Sequence, residues 1–427
     1  MQYLEKSGDT LSEYGKVKKY AALVCQADET YFLMNGSSSG IFSAIFSATK
    51  KNGEMIMARN CPKAVYHGAG LRQIRTHYLY PELLPEGIFG GINVEMAEEA
   101  FEKYPEAKTL ILTSPTFEGV VSDVNGIVKA AHAKGVTVIV DETYGGHFLK
   151  ESGFPKSAVR CGADVVIQRI DKSLPQLPQT ILVHVHKDYK YKEKLKKYLK
   201  IFQCEEPSNV QIQSVDHAMN WYVEEGRESF KKYLGNLKKL RAAMTAQLEN
   251  LKLLTLENVF DHDISKVVIS TRETGISGKE LHKKLLKKHH FQADLACMDY
   301  VVFTTSVSDK EQDYGHFLEA VFKIDGEFEK TSPSKIDEDS LGNPKALMSI
   351  YEAVEKNRKS VSLPDSMGEV SASYVWIDPP GIMLLTPGEK ISERCVRCLE
   401  NYLEEGLEVC GLTKEKEIEV VWEEFFT

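Results

Sequence analysis

Two residues of this sequence have the type and spacing for chemistry on an amine. Asp141 closes the apolar run Val136-Thr-Val-Ile-Val140 and opens Asp141-Glu-Thr-Tyr-Gly-Gly-His147. Lys172 follows 31 residues later, in Ile167-Gln-Arg-Ile-Asp-Lys-Ser-Leu-Pro175. An acid at the carboxyl end of a buried strand stands where open α/β sheets bind their ligands. A lysine amine held in a desolvated cleft can form a Schiff base, and a carboxylate across a heteroaromatic ring can keep the ring nitrogen protonated. The same residues have an ordinary reading, with Asp141 capping the next helix and Lys172 on the surface.

A third feature favours the chemical reading. The strand Tyr31 to Met34 runs into Asn35-Gly-Ser-Ser-Ser-Gly40 and then a helix from Ile41 to Thr49. Small residues ahead of a helix let backbone N–H groups and the hydroxyls of Ser37, Ser38 and Ser39 converge on a phosphate, assisted by the helix dipole. Ser-Gly turns often only cap helices, yet the order cup, acid, lysine in one α/β lobe is much more specific. It points to pyridoxal 5'-phosphate acting as an electron sink.

The elements that must position these residues follow from periodicity. From Lys19 to about Val183, helical patterns alternate with short strand-like runs at Thr30–Met34, Glu54–Met57, Thr109–Leu112, Val136–Val140 and Asp164–Ile167, which predicts β-α units on a largely parallel sheet. Val215 to Leu251 reads as a long helix; strands at Lys266–Ser270 and Tyr300–Thr304 then interleave with helices at Gly278–Lys287 and Asp313–Ile324. A 427-residue chain exceeds the roughly 250–300 residues of a single core. We expect a cofactor-binding large domain over residues 1–255 and smaller C-terminal unit(s) over 256–427, with Thr331 to Asn343 as a linker.

Composition excludes several classes. With a net charge of −9 the chain lacks the electrostatic footprint of a nucleic-acid binder. No run approaches the roughly 18 apolar residues of a membrane span, and eight scattered cysteines suit reduced thiols in the cytoplasm. His184 and His186 share a strand face without a third ligand, so packing is expected rather than a metal site. Cys395 and Cys398 sit in a helical pattern and read as packing, and the lysines from Lys187 to Lys200 as a solvated face.

The sequence resembles the ornithine/lysine/arginine decarboxylase family of pyridoxal-phosphate enzymes from about Gly8 to Gly411. The resemblance rests on Phe32-Leu-Met-Asn-Gly-Ser-Ser-Ser-Gly40, Arg59-Asn-Cys-Pro-Lys63, Leu112-Thr-Ser-Pro-Thr-Phe-Glu-Gly119, Asp141-Glu-Thr-Tyr-Gly-Gly-His-Phe148, Asp171-Lys-Ser-Leu-Pro175, and Pro379-Pro-Gly-Ile382 with Pro387-Gly-Glu389. It implies an α/β fold of the aspartate-aminotransferase type (fold type I), with a mostly parallel sheet in the large domain and a smaller α+β C-terminal domain. It implies Lys172 as the Schiff-base lysine, Asp141 as the ring-nitrogen partner, Ser37 and Ser38 as phosphate ligands, and an active site at a homodimer interface. The activity implied is decarboxylation of lysine, ornithine or arginine to the amine, as in polyamine biosynthesis, with Tyr144, His147 or Lys172 returning the proton.

Several positions depart from the family pattern. Pro62 stands where the family has a ring-stacking His, leaving Tyr66 or His67 as substitutes. Arg169-Ile170-Asp171 replaces Ser-Thr-His; Arg169 can pair with phosphate, whereas Asp171 opposes it. Tyr144 replaces His and can donate to the cofactor's phenolic oxygen. Glu205-Glu-Pro-Ser208 replaces a Ser/Thr-rich phosphate segment and suits a cationic substrate. Typical members also carry an N-terminal His-x-Pro-Gly-His-Lys arm ahead of the point where this sequence starts. Alternatives are therefore an impaired homologue that dimerises with a full-length relative, or other pyridoxal-phosphate chemistry such as transamination.

Overall fold

The structure is a computed structural model that describes residues 13–422 apart from 86, 151, 171–173, 175–179, 205–207, 256–258, 333–343, 379–380 and 405. Short apolar strands alternate with helices through the first half: β1 (Glu29–Leu33), β2 (Glu54–Ala58), β3 (Arg75–Leu79), β4 (Thr109–Thr113), β5 (Val120–Val121), β6 (Thr137–Glu142), β7 (Val165–Arg169) and β8 (Ile181–Val185). Seven of them form one sheet in the order β1-β8-β7-β6-β4-β2-β3. Every residue of β4, β6 and β8 is buried, as a sheet covered on both faces requires.

The expected βα rhythm is present, with one strand reversed. β3, β2, β4, β6 and β7 pair in parallel, while β8 runs antiparallel to both β7 and β1. Two reversals restore direction, so β1 points the same way as β7. The carboxyl ends of β1, β2, β4, β6 and β7 therefore share one edge. The helix Ser37–Ala48 leaves β1 at that edge and lies tight on the sheet; a Cβ on Gly40 would stand 3.2 Å from both Leu33 Cδ1 and Val183 Cγ2.

The long helix expected over Val215–Leu251 is two helices, Asn209–Trp221 and Arg227–Gln247, joined by a π turn at Tyr222–Gly226. Such a turn inserts a residue into the helical register. It leaves Val215, Ala218 and Met219 before the turn and Phe230, Leu237 and Leu240 after it in one core. That core also takes Phe32 and Leu182 from the large sheet and Val267, Ile269 and Val301 from a four-stranded antiparallel sheet built from residues 252–304. The described C-terminal residues carry a separate core, Val375, Leu385, Val396, Leu399, Ile418 and Val420, between a helix at Glu393–Glu404 and short antiparallel strands. Most of the expected linker, 333–343, lies outside the described residues.

One buried ion pair clasps the large sheet to the C-terminal unit. Arg59, just past β2, donates from Nη1 to Glu389 Oε1 at 2.7 Å and from Nη2 to Glu389 Oε2 and Leu384 O, both at 3.0 Å. Both side chains are sealed from solvent, at 0% and 1% exposure. A guanidinium fork on a carboxylate satisfies both charges at once, which is what makes burial of the pair tolerable.

Candidate active site

Asp141 lies at the carboxyl end of β6, in register with Thr113 of β4 and Ile167 of β7. Its backbone carbonyl accepts from Ser114 N at 3.1 Å. Its side chain is 2% exposed and, among the described residues, accepts within the neighbouring turn from Thr143 N to Oδ1 at 3.2 Å. Burial pushes its pKa up to about 6, partly offset by the bonds from Thr143.

The turn after Asp141 exists because it carries two glycines. A Cβ on Gly146 would stand 2.1 Å from Arg169 O, so the turn presses directly on the end of β7. This holds Tyr144 beside Asp141, with Arg169 and Glu118 close enough to act on its phenol. Burial first, then the Asp141 and Glu118 charges, raise the phenol above its ordinary range; Arg169 opposes them. Tyr144 therefore stays a neutral hydrogen-bond donor. Its ring meets Phe117 edge-on at 5.0 Å, and Lys266 Nζ sits over both rings, 5.3 Å from Phe117 and 5.4 Å from Tyr144.

The serine cup opens on the same edge. Gly36, at φ 88°, turns the chain into the helix at Ser37. Ser39 is buried and its hydroxyl faces Gly36 O at 2.8 Å and Asn35 Oδ1 at 2.9 Å, whereas Ser38 is exposed and Ser37 half-buried at the open first turn. Asn35 Nδ2 donates to Phe202 O at 2.6 Å, which fixes the turn from below.

Lys172, Asp171 and Glu205 lie outside the described residues. The flanking Ile170 and Leu174 are buried, and Leu174 N donates to Ile170 O at 2.9 Å. Neither substitute for the stacking ring at Pro62 is at liberty. Tyr66 is fully buried and donates to Arg59 O at 2.5 Å, and His67 packs on Tyr374 with ring centres 4.5 Å apart. His147 is 2% exposed and pairs through Nε2 with Asp263 Oδ2 at 3.1 Å. Burial alone would raise the Asp263 carboxyl; His147, Lys266 and Ser265 outweigh it and hold it below its ordinary value. His184 is spent on Thr30 and Gln168.

The donor set suits pyridoxal 5'-phosphate. Asp141 offers a buried carboxylate to a ring N–H, and Tyr144 offers a neutral O–H. Asn60 Oδ1 and Thr180 Oγ1, buried without partners among the described residues, lie at this same edge. Lys266, Glu118 and the Arg59–Glu389 clasp escaped the sequence reading. Their partners are distant in the chain, and no local spacing marks them.

Comparison with known proteins adds the decisive observation. The sequence family described as Orn/Lys/Arg decarboxylase, major domain, matches residues 4–298, and its C-terminal domain matches 341–415. The chain belongs to the Orn/Lys/Arg decarboxylase family. Among relatives of this decarboxylase-family chain, arginine decarboxylase of Bacillus subtilis (strain 168) is 25% identical over 96% of this chain and 85% of its own. In fold it matches the Francisella novicida lysine decarboxylase LdcF, with a TM-score of 0.83 at 17% identity over 98% of this chain and 74% of that one. Pyridoxamine-pyruvate aminotransferase from Mesorhizobium loti matches at a TM-score of 0.58 and 15% identity, over 76% of this chain and 88% of that one. The family member thus has the expected fold type I architecture, and no helix among its described residues is long and apolar enough to cross a membrane.

Proposed function

We propose that this chain is a working pyridoxal-phosphate-dependent carboxy-lyase that converts a basic amino acid to its amine, acting as a homodimer or with a related subunit. The observation that carries the reading is the buried carboxylate of Asp141 on the edge that also bears the Ser37–Ser38 cup and Arg169. When bound, the cofactor supplies a protonated pyridine ring that takes up the electron pair of the breaking Cα–carboxylate bond. Asp141 holds the ring N–H and keeps that proton in place. The Ser37 and Ser38 hydroxyls and the first-turn N–H groups hold the phosphate, with Arg169 as a further donor. Tyr144 Oη donates to the ring's phenolic oxygen. Lys172, by the family resemblance, is the lysine to which the cofactor attaches. Arginine is the first substrate to try, since a relative over most of the chain bears that activity in its name.

The test is a cofactor titration followed by carbon dioxide release from arginine, lysine and ornithine. We expect an absorbance band near the visible edge that Lys172→Ala abolishes, and release from one of the three. Absence of cofactor uptake at saturation overturns the reading. Pro62, with Tyr66 and His67 both engaged elsewhere, favours a second reading in which the chain binds cofactor but needs a related subunit. Release that appears only on mixing with such a subunit supports it.

A further inference from the structure

The hydroxyls of Thr113-Ser-Pro-Thr116 have different duties. Ser114 Oγ accepts from Ser122 N at 3.1 Å and Thr116 Oγ1 from Val120 N at 3.2 Å, so both brace the turn that leads into β5. Thr113, the last residue of β4, is 6% exposed, and its Oγ1 is buried without a partner among the described residues. A buried hydroxyl left unbonded costs free energy that a methyl group of the same shape would not. A hydroxyl at this place therefore calls for an acceptor.

The topology supplies one. Thr113 and Asp141 are paired in register on the parallel strands β4 and β6, so their side chains leave the same face of the sheet. Neighbouring strands lie about 4.7–4.9 Å apart, a separation that a threonine hydroxyl and an aspartate carboxylate can bridge. Cys61, just past β2, marks the same spot from a third element. Its thiol lies against Thr113 and within the field of Asp141, and is turned to Ile111 O at 3.8 Å. Sulfur is a weak acceptor, whereas a carboxylate offers about four acceptor sites. On Asp141, Thr143 N serves Oδ1 at 3.2 Å. A buried donor in need of an acceptor thus stands beside a buried carboxylate with acceptor sites to spare.

The titratable groups around Asp141 come from several elements. Burial pushes the Cys61 thiol up to about 12 and holds the Tyr144 phenol above its ordinary range, so both are neutral between pH 4 and pH 8. Arg169 at the end of β7 and Glu118 in the turn after β4 act on Tyr144. Glu142, next in β6, points to the opposite face, where Ser157, Ala158 and Gln168 hold it.

We propose that Thr113 is a positioning residue, whose hydroxyl donates to the ionised Asp141 carboxylate and so steadies the oxygen that holds the cofactor's ring N–H. A bond donated to the charged form favours that form, and a charged acceptor makes it one of the stronger kind. The service to the cofactor rests on the function proposed above; the hydroxyl–carboxylate pair does not.

The experiment is urea unfolding of the full chain without cofactor at pH 4 and pH 8, below and above the Asp141 pKa of about 6. Thr113→Val keeps the shape and removes the donor. Without the donor the folded pKa of Asp141 rises further above its unfolded value, so stability is unchanged below both values and lost as pH rises. We expect the unfolding equilibrium constant of Thr113→Val to match wild type within about twofold at pH 4 and to exceed it roughly tenfold at pH 8. Thr113→Ser, which keeps the hydroxyl, should show no such pH-dependent loss, and in an Asp141→Asn background Thr113→Val should show none either. Titration with pyridoxal 5'-phosphate at pH 8 should then find Thr113→Val binding roughly tenfold more weakly, with Thr113→Ser near wild type. No loss at pH 8, an equal loss at both pH values, or a loss that persists with Asp141→Asn overturns the pair. Unchanged cofactor affinity in Thr113→Val overturns the positioning role. A wild type that takes up no cofactor overturns the proposed function and with it the service to the cofactor, while the urea comparison still decides the pair.

Discussion

At the scale of single residues, Asp141 pairs function with instability. Its pKa of about 6 when folded exceeds the roughly 3.9 of an unfolded chain. The folded state therefore holds its proton more tightly, and stability from this group is full below pH 4 and lost as pH rises through 6. At pH 7 the cofactor-free protein bears a penalty of about 3 kcal/mol from this one carboxylate. Asp141→Asn should accordingly be more stable than wild type at pH 7 without cofactor, match it near pH 4, and bind cofactor much more weakly. Urea midpoints at the two pH values, with a cofactor titration, check all three; a variant no more stable than wild type at pH 7 removes the argument. Tyr144 works in the opposite sense. Its phenol is held above the ordinary range, so Tyr144→Phe should shift the cofactor absorbance band while leaving the alkaline limb of any pH–rate profile unmoved.

At the scale of elements, the turn from Asp141 to His147 and the end of β7 form one unit. Gly146→Ala places a methyl group 2.1 Å from Arg169 O, a clash with backbone that no rotamer relieves. We expect destabilisation of about 2–4 kcal/mol and a larger loss of cofactor affinity than thermal melting alone would suggest, because both Tyr144 and Arg169 move. A calorimetric melt with a cofactor titration reads both. This unit was half legible in the sequence. An apolar run ending on an acid, followed by paired glycines, is a local pattern, as is a serine turn ahead of a helix. The sheet order that puts them on one edge was implied by the alternation of strands and helices. Local spacing carries no sign of the π turn at Tyr222–Gly226, which answers a core contact around Phe230, or of Lys266 over Tyr144, 122 positions away in the chain. The cup was legible too, although only the structure separates the inward Ser39 from the outward Ser37 and Ser38.

At the scale of the whole molecule, the Arg59–Glu389 pair joins segments 330 positions apart and bridges the regions matched by the family's major and C-terminal domains. Both charges are stranded from water, so removing one leaves the other uncompensated, at a cost of about 3–5 kcal/mol. Arg59→Met and Glu389→Gln should each destabilise strongly, and the double variant should cost less than the sum, because neither residual charge remains buried alone. The pair also bears on how the two units unfold. Around it, the helix Lys63–Arg72 meets the C-terminal unit through His67 on Tyr374 and Lys63 over Trp376, and Ile350 and Met383 of that unit are buried in the large-sheet core, so the ion pair and this apolar packing are the two candidates for what couples the units. Two of the chain's three tryptophans, Trp376 and Trp422, lie in the C-terminal unit, whereas most helix signal comes from residues before 326. In wild type, tryptophan fluorescence and far-ultraviolet circular dichroism should follow one urea transition. In Arg59→Met the fluorescence change should come at lower urea than the loss of helix signal, since a C-terminal unit without its clasp opens first. Coincident transitions in the variant would mean that packing along the helix, and not the buried ion pair, holds the two cores together.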